Sequence, residues 1–547
     1  MAGRLNVIFL SPLRIMRGSS SWSPFHFKNI KLPQVYHSRS IKKTAMVDSG
    51  EDSYCAPSTF DCLESKSFSP DEYFEVPPLL RRQSTIEDEQ RLVLLLKKIL
   101  AYQEKNVTSW IVENYVKDLV CTYKLMTKPQ KETFLKILAM DHSVDHDRIH
   151  KAMNHFKDFK PGTAISLKAE EQLKSVLNPQ YSWLFKHIGR LENGVKFLVD
   201  MRTDVLDLLA SLDSKSEAFI PIQQLNTTLR ELLSLWFSVG FLKLERVTWK
   251  SPCEMLQKIS EYEAVHPVRS WADLKRRVGA YRRCFVYTHS SMPTEPIVVL
   301  HTALSNEISS SMKGIVTAAH RMSIDASTKD SLMAASQEED PNLVTAAIFY
   351  SISSTQRGLQ GIELGNYLIK RVVQEVQAEF PKINQLSTLS PIPGFKTWLM
   401  EKIKLYEKEE KEVPEGWKNV LGEFGNWREL KISLLNNSWY HDHNLVVMLE
   451  PLLMSSCAYY LYKEKRRSGA LDSVANFHLK NGAVMWRLNW MADTSPRGLS
   501  NSCGMMVNYR YVLEDTERNS QSYLENHKIN ASDEIKHLAG ERIPSKM

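Results

Sequence analysis

Two stretches and one isolated histidine carry residues whose types and spacing suit chemistry. The first begins with TAAIFYSIS (345–353), a run that reads as a strand, and continues into STQRGLQGIE (354–363). A helix pattern follows, with apolar residues at Leu364, Leu368, Val372 and Val376 in an i,i+4 stripe. Glycines at 358, 361 and 365 would let the backbone approach a ligand closely, and the start of a helix supplies unpaired N–H groups. That combination suits a phosphate or diphosphate. It is neither a G-x-G-x-x-G fingerprint nor a P-loop, and an ordinary glycine-rich turn has the same local pattern. The second stretch is STLSPIPGF (387–395). The residue before a proline is pushed to extended conformations, so Ser390 and Ile392 are both restrained. A nucleophile elbow needs G-x-S-x-G, and the first glycine is missing, which argues against lipase-like chemistry. The isolated histidine is His478, in NFHLKNG (476–482), beside an apolar run that starts at Gly482.

Other histidines invite a metal reading. His142, His146 and His150 stand four apart, which would place them on one face of a continuous helix, and His441 and His443 form a shorter cluster. Neither matches H-E-x-x-H, and a solvated helix face explains both, so no metal is expected.

The elements that must position these residues fall into two textures. From about Ile86 to Ser238 the chain reads as successive amphipathic helices, with apolar spacing of three and four in 107–126, 131–140, 184–213 and 222–238. Prolines at 129, 161, 179 and 221 punctuate them, and no fixed-period repeat is present. After Gly240, short β-type runs appear: RCFVYT (283–288), PIVVLH (296–301), GAVMWRLNW (482–490) and MMVNYRY (505–511). Helical patterns alternate with them. The expected class is α+β: an N-terminal helical bundle, 85–237, joined to a catalytic domain, 238–547. The polar stretch 321–341 reads as a surface insertion.

At 547 residues the chain is too long for one core of ordinary size. Its net charge of +7 is mild; it gives no sign of nucleic-acid binding and suits an anionic small substrate. Seven cysteines without a C-x-x-C fit a reducing compartment. The apolar stretch 445–462 is interrupted by Glu450, so no membrane span of about 18 uninterrupted residues is expected. Residues 1–47 carry eight Lys or Arg and no acid before Asp48, with frequent serine, as in a mitochondrial transit peptide. Residues 48–84 read as a disordered acidic linker. The end, Ser545-Lys546-Met547, is a variant of the S-K-L peroxisomal address, implying an import receptor as partner. Met46 is a candidate second start that would remove the transit peptide.

Taken in order, TAAIFYSIS with GLQGIELG, then LSPIPGF, then ANFHLKNGAVMWRLNWMAD resemble the malonyl-CoA decarboxylase family over roughly 85–547. The resemblance implies a helical domain followed by a GNAT-type acyltransferase fold, and a homotetramer. It implies that Gln360, Gly361, Ile362, Glu363, Leu364, Gly365 and Asn366 hold coenzyme A. It places the catalytic serine on Ser390 and the catalytic histidine on His478, with Ser351, Glu363 and Tyr511 near the thioester. The activity implied is loss of CO2 from malonyl-CoA to give acetyl-CoA, controlling malonyl-CoA level in fatty acid metabolism. The thioester carbonyl accepts the electron pair as an enolate, so no cofactor is expected. His478, as imidazolium with a pKa near working pH, is the expected proton donor to the α-carbon. Ser390 would bond the carboxylate or pass a proton, and Glu363 would orient one of the two. Acyl transfer to an amine and an inactive acyl-CoA sensor are the alternative functions. Mitochondrial matrix, peroxisome and cytoplasm are the expected locations.

Overall fold

The computed structural model describes residues 86–540 apart from 104–107, 323–338, 363, 365, 366 and 409–411. The transit peptide, the acidic linker, the Ser545-Lys546-Met547 end, Glu363, Gly365, Asn366 and most of the polar insertion lie outside the described residues.

The helical region comprises α1 (Ile86–Leu100), α2 (Ser109–Leu125), α3 (Lys128–Asp141), α4 (His146–Lys157), α5 (Ala164–Val176), α6 (Gln180–Gly189), α7 (Gly194–Ser211) and α8 (Phe219–Trp236). The run 184–213, uniform in its apolar spacing, is two helices. Asn193 takes a left-handed conformation (φ 56°) between them, and a Cβ on Gly194 would collide with the Ile188 carbonyl. Pro221 lies in the first turn of α8, where its missing N–H costs no helical bond. His142 caps the end of α3 while His146 and His150 lie on α4, so the three spaced histidines do not share one continuous helix.

The second region is built on strands β1 (Leu242–Val247), β2 (Arg282–His289), β3 (Val298–Ser305), β4 (Ala346–Ser354), β5 (Gln385–Thr388), β6 (Ser390–Pro391), β7 (Lys465–Arg466), β8 (Gly469–Ala470), β9 (Val484–Asn489) and β10 (Met506–Tyr511). Helices α9 (Cys253–Tyr262), α10 (Trp271–Arg277), α11 (Met312–Met322) and α12 (Tyr367–Glu379) surround its first half. In the second half lie α13 (Phe395–Glu407), α14 (Glu415–Phe424), α15 (Trp427–Asn436), α16 (His443–Tyr462) and α17 (Ser473–Lys480). Three short helices complete it: α18 (Pro496–Ser502), α19 (Thr516–Asn526) and α20 (Asp533–Leu538). This is the α+β class that the alternating textures lead one to expect.

The main sheet runs β1-β2-β3-β4-β5-β10-β6, with β9 on the other edge of β10. Its pairs are antiparallel except β4 with β5. That parallel pair holds for four rungs, Ala346–Phe349 against Gln385–Thr388. Beyond Phe349 and Thr388 the two strands part, leaving a fork in the middle of the sheet. β10 spans the gap from the far side: Arg510 and Tyr511 pair with Ser387 and Leu386, while Met506 and Val507 pair with Pro391 and Ser390. Ser390 is thus held at the fork by strand pairing as well as by the proline after it.

One apolar cluster extends from Leu92 in α1 through the sheet to Ala539, so the helical region and the sheet share a core. The α16 helix is long and apolar enough, by length and composition, to cross a membrane. It nevertheless carries Glu450 and Pro451, and buries Leu449, Leu453, Cys457 and Leu461 in that core.

Candidate active site

The hydroxyl of Ser390 lies 3.2 Å from His478 Nε2 and donates to Thr388 Oγ1 at 2.9 Å. On the other side of the ring, Nδ1 is 2.8 Å from the Tyr511 hydroxyl. All of these side chains are buried. Their convergence follows from strand periodicity. Thr388 and Ser390 are two apart on an extended segment and share a side, as Tyr509 and Tyr511 do on β10. Tyr509 stacks on the His478 ring, centroids 4.6 Å apart, and its backbone N–H donates to Thr388 Oγ1 at 3.2 Å. Thr388 and Tyr509 were not among the expected site residues, although the two-residue spacing is the signal that would have found them.

His478 sits on the last turn of a helix rather than beside a strand. Asp472 caps that helix, accepting from Val474 N at 3.0 Å and Ala475 N at 2.8 Å, and also receives the Tyr460 hydroxyl at 3.3 Å. Gly394 of the SPIPGF stretch packs against this same cap: a Cβ there would collide with the Tyr460 hydroxyl. The loop that carries Ser390 and the helix that carries His478 are therefore registered against one another through Tyr460 and Asp472.

Burial pulls the His478 pKa down to about 3, so the ring is neutral in the free site. This corrects the expectation of an imidazolium near working pH: no carboxylate among the described residues touches the ring to offset its desolvation. Burial also raises the Tyr511 hydroxyl well above its ordinary value. Tyr511 therefore keeps its proton, and the ring nitrogen is the acceptor within its reach. Nδ1 then accepts from Tyr511 and Nε2 carries the hydrogen toward Ser390. The donors point one way, from Tyr511 through His478 to Ser390 and Thr388.

Other expected residues lie apart from this chain. The Ser351 hydroxyl donates to Glu263, 2.8 Å from each carboxylate oxygen, and pairs across β3 with His301. Glu263 also accepts the amides of Val265 at 2.8 Å and His266 at 2.9 Å. Ser351 makes no bond to Ser390 or His478. The glycine turn leaves β4 at the fork. Gln360 and Gly361 are exposed, Ile362 is buried and Leu364 is half-buried. Gly361 has φ 75° with open space where a side chain would stand, consistent with an approach by ligand. Gly358 has a different reason: a Cβ there would collide with the Val199 carbonyl, so this glycine admits α7 rather than a ligand.

The chain was compared with known proteins. A family model described as "Malonyl-CoA decarboxylase C-terminal domain" matches residues 240–546, and "Malonyl-CoA decarboxylase N-terminal domain" matches residues 142–237. A relative from Anser anser anser, "Malonyl-CoA decarboxylase, mitochondrial", is 46% identical over 421 residues, covering 74% of this chain and 79% of its own. The Mus musculus protein of the same description is 45% identical over 451 residues, covering 81% and 88%. Among solved structures, malonyl-CoA decarboxylase from Rhodopseudomonas palustris superposes with a TM-score of 0.69 at 28% identity, covering 82% of this chain and 99% of that one. The Agrobacterium vitis protein gives 0.68 at 27% identity, covering 82% and 100%. Matched in both halves and in the same order, the chain belongs to the malonyl-CoA decarboxylase family.

Proposed function

We infer that the chain decarboxylates malonyl-CoA to acetyl-CoA and CO2, and so controls malonyl-CoA level in fatty acid metabolism. The observation that carries the mechanism is the buried chain of donors from Tyr511 through His478 to Ser390 at the sheet fork. In the reaction, the bond between the α-carbon and the carboxylate carbon breaks and CO2 leaves. The electron pair moves into the thioester as an enolate, and one proton is added at the α-carbon. That proton comes from solution, because the products hold one more carbon-bound hydrogen than the malonyl anion.

Ser390 and His478 supply the path. A malonyl carboxylate arriving beside a neutral, desolvated ring favours its charged form, since an opposite charge raises a histidine pKa. The ring takes up a proton as substrate binds. When the carboxylate departs as neutral CO2, the charged ring faces an enolate and returns to the neutral state that burial favours, by giving up its proton. Ser390, between ring and fork, passes that proton or holds the carboxylate in line with the breaking bond. The turn at Gln360, Gly361, Ile362 and Leu364 anchors coenzyme A. Ser351, on β4, acts from its bond to Glu263, the residue that follows α9.

The decisive assay supplies malonyl-CoA without an acceptor. Equimolar acetyl-CoA and CO2 are expected; a transferase or an inactive acyl-CoA sensor would give neither. The curated relatives are described as mitochondrial, and the basic, acid-free residues 1–47 support the same matrix destination here. We further propose a peroxisomal pool addressed through Ser545, Lys546 and Met547 and made dominant by a start at Met46 that removes the transit peptide, a cytoplasmic pool, and a homotetramer. Fractionation of cells expressing the Met46-substituted chain tests the pools: unchanged peroxisomal abundance would count against the second start. Sedimentation velocity tests the tetramer.

A further inference from the structure

We propose that Arg202, supplied by the helical region, is a positioning residue for the diphosphate of coenzyme A, acting through the turn that follows β4. The proposal rests on the reading that this turn anchors coenzyme A. Arg202 lies on α7 with 2% of its surface exposed. Its Nη1 donates to the Gly358 carbonyl at 2.5 Å and its Nη2 to the Gln360 carbonyl at 2.9 Å, while Nε donates to Asn226 Oδ1 at 3.0 Å. A planar guanidinium fork therefore grips two carbonyls of the turn at once, a geometry that lysine does not reproduce.

Two consequences follow for a ligand. In a trans peptide the C=O of one residue and the N–H of the next point in opposite directions. With the Gln360 carbonyl drawn inward to Arg202, the Gly361 N–H is turned outward, at the exposed position where φ 75° and an absent side chain leave space. The second consequence is charge. The three bonded partners of Arg202 are neutral, and the nearby Asp207 is engaged by Arg357 at 2.6 Å. Burial lowers the Arg202 pKa, with Arg230 adding a like charge, but only to about 10, so the group stays cationic near neutral pH. A buried positive charge thus lies directly beneath the turn, where it favours an anion above. Gly358 completes the arrangement by letting the turn sit against Val199 of α7.

The test compares malonyl-CoA with malonyl-pantetheine, which has the same reacting group but no diphosphate. For Arg202→Met, KM for malonyl-CoA is expected to rise about tenfold or more, the size expected for losing charge-assisted bonds, with kcat within about threefold. KM for malonyl-pantetheine should stay at its wild-type value. Arg202→Lys, which keeps the charge but not the fork, should fall between. Equal losses on both substrates, or no change on malonyl-CoA, would overturn the proposal. A wild-type enzyme with the same KM for both substrates would overturn the anchoring reading itself, and the role of Arg202 with it. Should Arg202→Met fail to fold, Arg202→Lys decides the matter with the same two substrates.

Discussion

Replacing His478 by asparagine should lower kcat by about 10²- to 10⁴-fold, the range for losing a general acid, and leave KM for malonyl-CoA within about threefold. Asparagine keeps a polar group beside Ser390 but has no site that takes up and releases a proton. The effect therefore belongs to the transition state rather than to binding. An unchanged kcat would exclude His478 as the donor. The pH dependence separates two states of the ring. In the free enzyme its pKa is about 3, so kcat/KM should show no inflection from this group near 6.5. In the complex the substrate carboxylate raises the pKa, and kcat should fall as pH rises above that new value. A histidine-like inflection of kcat/KM near neutrality would mean that the ring is charged before substrate arrives. The same depressed pKa has a stability consequence. The unfolded chain binds a proton at His478 at higher pH than the folded chain does, so this contribution to stability is present above about 6.5 and is lost as pH falls toward 3. His478→Asn should therefore flatten acid destabilisation in that window, as measured by denaturant unfolding at a series of pH values.

Ser390→Ala should reduce kcat by about 100-fold with a smaller change in KM. The substitution removes the oxygen 3.2 Å from Nε2, leaving the ring N–H without its acceptor and Thr388 Oγ1 with the Tyr509 N–H as its remaining donor. An unpaired buried donor costs about 1–3 kcal/mol, so melting temperature should be measured beside the kinetics. If KM rises and kcat does not change, Ser390 binds the carboxylate and passes no proton. Single-turnover measurements at saturating substrate distinguish the two directly.

Much of this arrangement can be read from residue types alone. β2, β3, β4 and β10 are strongly β-branched or aromatic, and each falls close to its expected run, because a fully buried strand leaves little ambiguity. Ser390 and His478, each expected in the site, lie within hydrogen-bond reach of one another. The failures have physical causes. α17 is eight residues long, too short for a helical period to emerge, and its clearest mark is the Asp472 cap. The neutral state of His478 depends on complete burial by residues distant in sequence, Tyr509 and Tyr511 among them, which no local pattern contains. Arg202 lies among Leu198, Val199, Met201 and Val205 on a buried helix face, where one arginine looks like a break in apolar spacing. Two of its three acceptors are carbonyls more than 150 residues further along the chain. Gly358 was visible as a glycine, but its neighbour was not: the open space serves Val199.

The uncharged resting state of the ring has a consequence for turnover. Malonyl-CoA brings an ionised group into the pocket, and acetyl-CoA carries none out. A protonated His478 is favoured only while that negative charge stands beside it, so product gives the site no reason to stay charged. On the proposed mechanism the site thus distinguishes substrate from product by the very group that the reaction removes, and it resets electrically at each cycle. Every round also draws one proton from the surrounding solution, and the CO2 released returns one when it hydrates to bicarbonate.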